Sequence, residues 1–335
     1  LLTLVAAAAL TARVIDRGPM WFFDMQFFVD PLNVFLIALT ALVGFTTSLF
    51  SRPYMRIEHD HGKLSSGRLR LYHSMFQMFM CTMLVALSTN NLGILWVAME
   101  AATLTTVLLV ALYRTPASLE AAWKYFILCG VGIAQALFGT ILIYFAAERV
   151  LGPLGGALLW THLDVVKGGL EPTVLSLAFV FLFVGYGTKV GLAPMHAWLP
   201  DAHSEAPALT SGLLSGSLCI CAIYVLLRNV IIIMPAVGMD FISSLFLFFG
   251  LLTIALAIPF VVVQRDIKRM LAYSSMENFG LMAAGFGLFI PVAVEASLLH
   301  MLNHALVKYA LFYTAGTIME AYGTKNMMRI HGMFQ

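Results

Sequence analysis

The sequence predicts an all-α polytopic membrane protein. Hydrophobic residues make up 61% of the chain and charged residues only 11%, whereas soluble domains carry about 25% charged residues. Its mean hydropathy is +0.90. Apolar runs of about 20 residues, the length that crosses a bilayer as a helix, recur between charged residues, Pro and Gly. The net charge of +2 and the lack of a basic run interleaved with aromatic residues argue against a nucleic-acid partner and leave the lipid bilayer as the expected surroundings.

About ten membrane spans are expected from these runs. In chain order they are 1–15 (partial), 31–51, 73–90, 92–113, 121–146, 173–199, 205–233, 239–263, 268–290 and 293–320. One long loop, 147–171, separates two of them and contains Gly-Pro and Gly-Gly steps. Because the chain starts at Leu1 and its first apolar run is short, we interpret the sequence as a piece of a longer protein, with at least one further span expected after Gln335.

The distribution of Lys and Arg predicts the orientation. Loops on one side hold eleven basic residues and those on the other side five. Cytoplasmic loops are the ones enriched in Lys and Arg. Loops 52–72 and 200–204 are therefore expected to face the cytoplasm of a bacterial or archaeal-type cytoplasmic (inner) membrane.

Lys189 is the residue that composition explains least. It follows a charge-free run from Pro172 to Thr188 and lies among Gly187, Gly191 and Pro194. Glycine and proline at this density predict an interrupted helix. An ionisable side chain within a membrane span indicates a functional site, because a charge without a use is costly there. Further along the same stretch, His196 and His203 are added as candidate proton-transfer residues.

A second set of titratable residues forms a stripe in the last span. His300, His304 and Lys308 are spaced four residues apart, which places them on one face of a helix. Three protonatable groups in register inside lipid predict a hydrated proton relay. The alternative for a single histidine is a hydrogen-bonded packing residue.

Three more candidates lie inside predicted spans. Glu100 and Glu277 each interrupt an otherwise uncharged apolar run. A buried carboxylate alone is driven towards its neutral form, and a nearby Lys restores the charged form of both groups. Such a pair can therefore pass protons. Lys124 lies near the start of its span, so it belongs either to this relay or to the membrane surface, which its long side chain can reach.

No cofactor or metal site is predicted. The four cysteines lie in apolar segments, and only Cys219 and Cys221 are close in sequence. We interpret them as small packing residues. No flavin, iron–sulfur or quinone motif is present, so any electron transfer must occur in partner subunits.

A weak internal repeat divides the chain. A plain span, a span with a Glu and a span with a Lys-Tyr pair occur in that order twice, first with Glu100 and Lys124-Tyr125 and then with Glu277 and Lys308-Tyr309. Transporters commonly contain inverted repeats with interrupted helices along the ion path. The predicted organisation is therefore 1–72, N-terminal spans and a cytoplasmic loop; 73–233, a first five-helix repeat; and 239–335, a second and incomplete repeat.

Several stretches resemble one family. The segment from Lys189 to Pro207 is similar to the signature of the antiporter-like membrane subunits of the respiratory complex I superfamily, and the segments 264–275 and 300–308 resemble two further motifs of that family. The segments 28–35, 51–56 and 96–104 are most similar to component F of hydrogenase-4 and formate-hydrogenlyase-type complexes.

The resemblance implies a complex I antiporter-like fold of fourteen helices, with two inverted five-helix repeats and a discontinuous helix in each. Glu100 then matches the family's glutamate of the fifth helix and Lys189 the lysine of the broken seventh. The stripe of His300, His304 and Lys308 matches the connecting axis. The chain departs from the family in the span 205–233, where residues 218–222 supply no central Lys or His; Ser215, Ser217 or a water would have to bridge that gap.

Three functions remain open on this basis. The first is a proton-translocating subunit of a redox-driven membrane complex, which would assemble with other membrane subunits and a peripheral redox arm carrying Fe–S clusters and would hold no redox centre itself. The second is a subunit of a multi-subunit cation/proton antiporter without a redox partner, since the motifs are shared. The third is a scaffold that has lost transport, which the retained Glu100, Lys189 and Lys308 argue against. Whether the chain counts as a component of an enzyme depends on which of these holds.

Overall fold

The chain is almost entirely helical in the computed structural model, which describes residues 1–152 and 156–332. The helices are α1 (Leu2–Arg17), α2 (Pro31–Asp60), α3 (Ser66–Ser88), α4 (Leu92–Val110), α5 (Pro116–Leu151), α6 (Trp160–Val166), α7 (Pro172–Val190), α8 (Trp198–Glu205), α9 (Ala208–Leu213), α10 (Cys219–Val237), α11 (Met239–Val263), α12 (Ile267–Gly287) and α13 (Pro291–Tyr322). Shorter turns are the 3-10 segments Lys167–Gly169 and Met327–Arg329 and the π-helical turn Leu214–Leu218. Residues 153–155 of the predicted loop 147–171 and the last three residues of the predicted second repeat lie outside the described residues.

The expected count of about ten spans is not confirmed. Within the described ranges, seven helices are long and apolar enough to cross a membrane: α2, α3, α4, α5, α7, the stretch Ala208–Val237, and α11. The other three predicted spans coincide with α1, which has only 16 residues, and with α12 and α13. These last two helices are long enough, but the charged and polar side chains described below make them less apolar.

Two segments predicted as loops are mostly helical. Helix α2 continues to Asp60 and α3 starts at Ser66, so the predicted loop 52–72 is reduced to a short turn. The predicted turn 200–204 lies within α8. The apolar run of α2 ends before its helix does, because helical hydrogen bonding continues into the polar residues that follow the run.

The N-terminal segment before α2 forms a small hairpin. Strand β1 (Met20–Phe22) pairs antiparallel with β2 (Phe27–Val29), with Met20 opposite Val29. Asp30 then caps α2, since its Oδ1 accepts hydrogen bonds from Leu32 N at 3.1 Å and Asn33 N at 3.0 Å. The hairpin therefore leads directly into the first long span.

Two helix pairs pack unusually closely because small residues face each other. Gly185 of α7 lies so near α5 that a Cβ added to it would stand 2.6 Å from the Gly132 carbonyl oxygen. In the same way, a Cβ on Gly250 of α11 would stand 2.9 Å from the Gly280 carbonyl oxygen of α12. Contacts between small residues let helix backbones approach in membranes, where apolar side chains gain little by associating. The first of these pairs places α7, and Lys189 with it, against α5.

Candidate functional site

The helix interruption lies at Gly191. Helix α7 ends at Val190, and Gly191 adopts a left-handed conformation with φ 84°. Leu192 N donates to the Gly187 carbonyl at 3.0 Å and Gly191 N to the Thr188 carbonyl at 3.2 Å, which is the Schellman termination that glycine favours. Gly187 is thus the last-turn acceptor inside α7, whereas Pro194 lies in the short connection before α8.

Lys189 lies immediately before this interruption and is completely buried. Its Nζ has no hydrogen-bond partner among the described residues and stands 6.0 Å from the centre of the Tyr125 ring. Tyr125 stacks on Trp198, whose Nε1 donates to the Thr188 carbonyl at 2.8 Å. The first residue of α8 is therefore tied to the end of α7, and the amine is held in a fixed aromatic environment.

Glu100 of α4 lies within electrostatic range of Lys189, but no hydrogen bond joins them. The Oε2 atom of Glu100 is buried and also lacks a hydrogen-bond partner within the described stretches of the chain. The buried thiols of Cys129 and Cys219 also lie within electrostatic range of this amine. The site therefore holds a buried amine and a nearby carboxylate that are not hydrogen-bonded to each other.

A second cluster of polar side chains lies on α13 and the facing side of α12. Lys308 is buried, and its Nζ donates to the Leu271 carbonyl of α12 at 3.2 Å. His304, also buried, packs against the ring of Phe279 at 4.8 Å. Glu277 of α12 is half-buried and within electrostatic range of Lys308. His300, at the other end of the stripe, is half-buried and borders an open groove of about 360 Å³ between α12 and α13.

The gap anticipated in the span 205–233 is occupied by two serines. Ser215 lies in the π-helical turn, 2.8 Å from the Ser275 hydroxyl and 3.3 Å from Nε2 of His304. Ser217, in the same turn, lies 2.7 Å from the Tyr309 hydroxyl. Insertions of this kind in helices occur frequently at functional sites. Here the turn directs both hydroxyl groups towards α13.

The two histidines of the Lys189 stretch differ in surroundings. His203 of α8 is completely buried, and its Nδ1 lies 2.9 Å from the Leu199 carbonyl. A carbonyl only accepts, so Nδ1 carries the proton, and Nε2 is left buried without a hydrogen-bond partner among the residues described. The ring faces Phe312 of α13 at 5.5 Å. His196 is half-buried in the connection between α7 and α8.

Lys124 stands apart from these buried groups. Its Nζ lies 3.1 Å from Asp201 and 2.7 Å from Glu120, at the surface. The structure thus brings Glu100 near Lys189, and Glu277 and His203 near the His304–Lys308 stripe, while Lys124 of α5 pairs with Asp201 of α8 at the surface.

Two buried basic residues were missed by the sequence reasoning. Lys268 stands at the first position of the predicted span 268–290 and was given no functional role, yet its side chain is only 1% exposed. Arg228 was counted only for orientation; it is buried in α10, paired with Asp30 at 2.7 Å and stacked on Trp160 at 4.6 Å. A signal for Lys268 is that a helix ending just before Pro207 leaves its last carbonyls without intrahelical donors, which a Lys can supply.

Within residues 1–152 and 156–332, no cluster of three or more His, Cys, Asp or Glu residues is arranged to hold a metal ion.

Known proteins resemble this chain in sequence and in fold. Residues 89–335 match the family model described as NADH:quinone oxidoreductase/Mrp antiporter, transmembrane. A hydrogenase-4 component F homolog from Methylacidiphilum infernorum is 45% identical over 307 residues, covering 92% of this chain and 64% of that protein. The chain therefore spans somewhat less than two thirds of the length of this relative.

Two solved structures share the fold. A chain of the membrane-bound sulfane sulfur reductase, an archaeal respiratory membrane complex, superposes with a TM-score of 0.87 at 25% identity, covering 99% of this chain and 66% of the other. A chain of the Mrp complex from Dietzia sp. gives a TM-score of 0.81 at 20% identity, covering 97% and 59%. The expected resemblance to complex I antiporter-like subunits, and to component F in particular, is confirmed. With the family model covering most of its length, this multi-pass membrane chain belongs to the NADH:quinone oxidoreductase/Mrp antiporter transmembrane family.

Proposed function

We propose that this chain is the proton-translocating subunit of a redox-driven membrane complex, of the hydrogenase or NADH:quinone oxidoreductase type. The observation that carries the proposal is Lys189, a completely buried amine at the end of a broken helix, without a hydrogen-bond partner in the described ranges and with Glu100 nearby. A carboxylate that approaches stabilises the protonated amine, and its withdrawal favours release of the proton. Motion of the broken helix or of α4 can thus be coupled to proton transfer.

The proposed route runs from the cytoplasmic surface to the stripe on α13. Lys124 and Asp201 form its exposed end, and His196 and His203 line the stretch that connects it to the interior. Protons then pass from Lys189 through the Ser215 hydroxyl to His304, Lys308, Glu277 and His300. The hydrogen bond between Ser215 and His304 supports this order.

The wider assignments rest on the family and on the sequence pattern. Segments 73–233 and 239–335 are proposed as two inverted repeats that follow the N-terminal segment 1–72. The membrane is a bacterial or archaeal cytoplasmic (inner) membrane, with 52–72 and 200–204 on the cytoplasmic side. Other membrane subunits adjoin the chain. Electrons move in partner subunits, including a peripheral arm with Fe–S clusters, since no redox-centre motif occurs in this sequence.

The test is Lys189→Met in the complete complex, reconstituted in proteoliposomes. The complex should assemble, and proton translocation per electron should fall to background because Met can neither bind nor release a proton. Lys167→Met is the matched control, since Lys167 is partly exposed and pairs with Asp164 at 2.8 Å. Undiminished translocation in Lys189→Met would contradict the proposal.

A cation/proton antiporter without a redox partner is the second candidate, favoured by the fold shared with the Mrp complex chain. Vesicles that hold the subunit and its membrane partners, with no electron donor, separate the two. If a sodium gradient drives proton movement in these vesicles, and if Lys189→Met abolishes that proton movement, the chain has this second function.

A further inference from the structure

The last turn of α8 has carbonyl groups that its own helix cannot satisfy. The helix ends at Glu205 with Ala206 as its C-cap, and Pro207, which has no N–H to donate back to the His203 carbonyl, comes next. Lys268 of α12 supplies a donor to two other carbonyls at this end. Its buried Nζ donates to the Ser204 carbonyl at 3.1 Å and to the Ala206 carbonyl. The neighbouring carbonyl, of His203, accepts from the Ser211 hydroxyl at 2.8 Å. A buried ammonium at a helix C-terminus also interacts favourably with the helix dipole.

Asp266 adds a second connection between the same two helices. Its Oδ1 caps α12 by accepting from Lys268 N at 2.9 Å and Arg269 N at 3.1 Å. Its Oδ2 accepts from the Ser204 hydroxyl at 2.8 Å and lies 3.1 Å from Nζ of Lys325. The first turn of α12 is therefore bonded to the last turn of α8 through side chains and backbone.

These connections fix the position of His203. It precedes Ser204 in the same turn, its ring packs against Phe312, and its Nε2, unpartnered among the described residues, is held in the interior. Lys268 and Lys308 both lie within electrostatic range of this ring. A displacement of the turn would move Nε2 relative to the Lys308 stripe on α13.

We propose that Lys268 is a positioning residue: by clamping the Ser204 and Ala206 carbonyls to α12, it holds His203 towards the proton-transfer stripe on α13. The expected effect on proton translocation rests on the proposed function. The clamp, meaning the hydrogen bonds from Lys268 to these two carbonyls, does not depend on it. The clamp also joins the broken helix of the first proposed repeat to the Glu277 helix of the second.

The experiment uses the complete complex with two readouts, backbone hydrogen exchange across 199–211 and proton translocation per electron. In Lys268→Met, exchange should rise about tenfold because two buried carbonyls lose their donor, and translocation should fall severalfold. Lys268→Arg keeps a charged donor that does not release its proton. It should exchange more slowly than Lys268→Met and retain more translocation. Arg265→Met removes an exposed positive charge three positions earlier and should change neither readout.

Each other outcome overturns the inference. Unchanged exchange in Lys268→Met means that the clamp does not order α8. Raised exchange with normal translocation means that the order does not matter for transfer. A variant with wild-type exchange but no translocation would identify Lys268 as a proton carrier. Failure of the proposed function is separate, since it shows as absent translocation in the unmodified complex or as no effect of Lys189→Met, while the exchange readout still reports the clamp.

Discussion

The Ser215 hydroxyl lies 3.3 Å from Nε2 of His304 and so links the π-helical turn after α9 to the polar stripe of α13. The two residues are 89 positions apart, and Ser275 of α12 joins the same contact at 2.8 Å. A hydroxyl both donates and accepts, so it can pass a proton where a Lys or His is absent. We regard this link as the replacement for the missing central base of the span 205–233.

Ser215→Ala should therefore slow proton translocation by about a hundredfold, the low end of the range that general acid–base groups contribute, while assembly stays normal. Translocation by the reconstituted complex is the measurement. Ser217→Ala is the matched control, because it removes a hydroxyl from the same turn that bonds Tyr309 and not His304. Equal losses in both variants would argue against a specific role for Ser215.

Close packing of α7 on α5 gives a second prediction. Gly185→Ala would place a Cβ 2.6 Å from the Gly132 carbonyl oxygen, and backbone cannot yield as a flexible side chain does. We expect the variant to lose about 1–3 kcal/mol of stability, the usual cost of overpacking, and to displace Lys189. Thermal unfolding of the detergent-solubilised protein measures the loss. Gly130→Ala serves as the control, since a Cβ there has no atom within 4 Å among the described residues, and it should unfold at the wild-type temperature or above.

The buried ion pair of Arg228 and Asp30 gives a third prediction. Asp30→Asn keeps an oxygen that caps α2 but removes the charge opposite Arg228, whose side chain is 5% exposed. Leaving a buried charge without its partner should destabilise the protein by about 3 kcal/mol. Asp164→Asn removes the partner of the partly exposed Lys167 and should cost less than about 1 kcal/mol. Similar midpoints for the two variants in thermal unfolding would contradict this assignment.

The sequence was sufficient for features that depend on neighbouring residues. The break beside Lys189 follows from Gly191 and Pro194, and the stripe on α13 follows from spacing alone. The position of Lys124 was left open between relay and surface, because its contact with Asp201 joins residues 77 positions apart.

Long-range partners account for most of what the sequence did not show. Lys268 stands at the start of the predicted span 268–290, and only the folded chain brings it to the carbonyls at the end of α8. The span count was inexact for a different reason. Hydropathy marks apolar runs, whereas α12 and α13 are helices that contain the buried polar groups of the site.

A fourth prediction concerns pH at the start of α7. Glu171 caps this helix, accepting from Thr173 N at 3.1 Å and Val174 N at 2.6 Å. These hydrogen bonds, that of Val174 first, lower the pKa of the Glu171 carboxyl. Because the pKa is lowered in the folded state, the cap contributes its full stabilisation of α7 above the ordinary carboxyl pKa of about 4.3. This stabilisation is lost as the pH falls through the lower pKa of the folded state.

Backbone exchange at 173–176, corrected for its intrinsic pH dependence, should therefore accelerate below about pH 4 in the wild type. In Glu171→Gln the cap does not titrate, so the exchange should be faster at neutral pH and should not accelerate further on acidification. The same acid-induced increase in both proteins would show that Glu171 is not its source.

The last prediction separates proton transfer from structural support at Lys308. The amine donates to the Leu271 carbonyl at 3.2 Å and lies near Glu277, so a purely structural role would need only a positively charged donor. Lys308→Arg supplies that donor but holds its proton throughout the physiological range. If Lys308 carries protons, translocation should be lost in Lys308→Arg as it is in Lys308→Met, with both variants assembled and with normal exchange in α12. Translocation that survives in Lys308→Arg but not in Lys308→Met would instead assign Lys308 to holding α13 against α12.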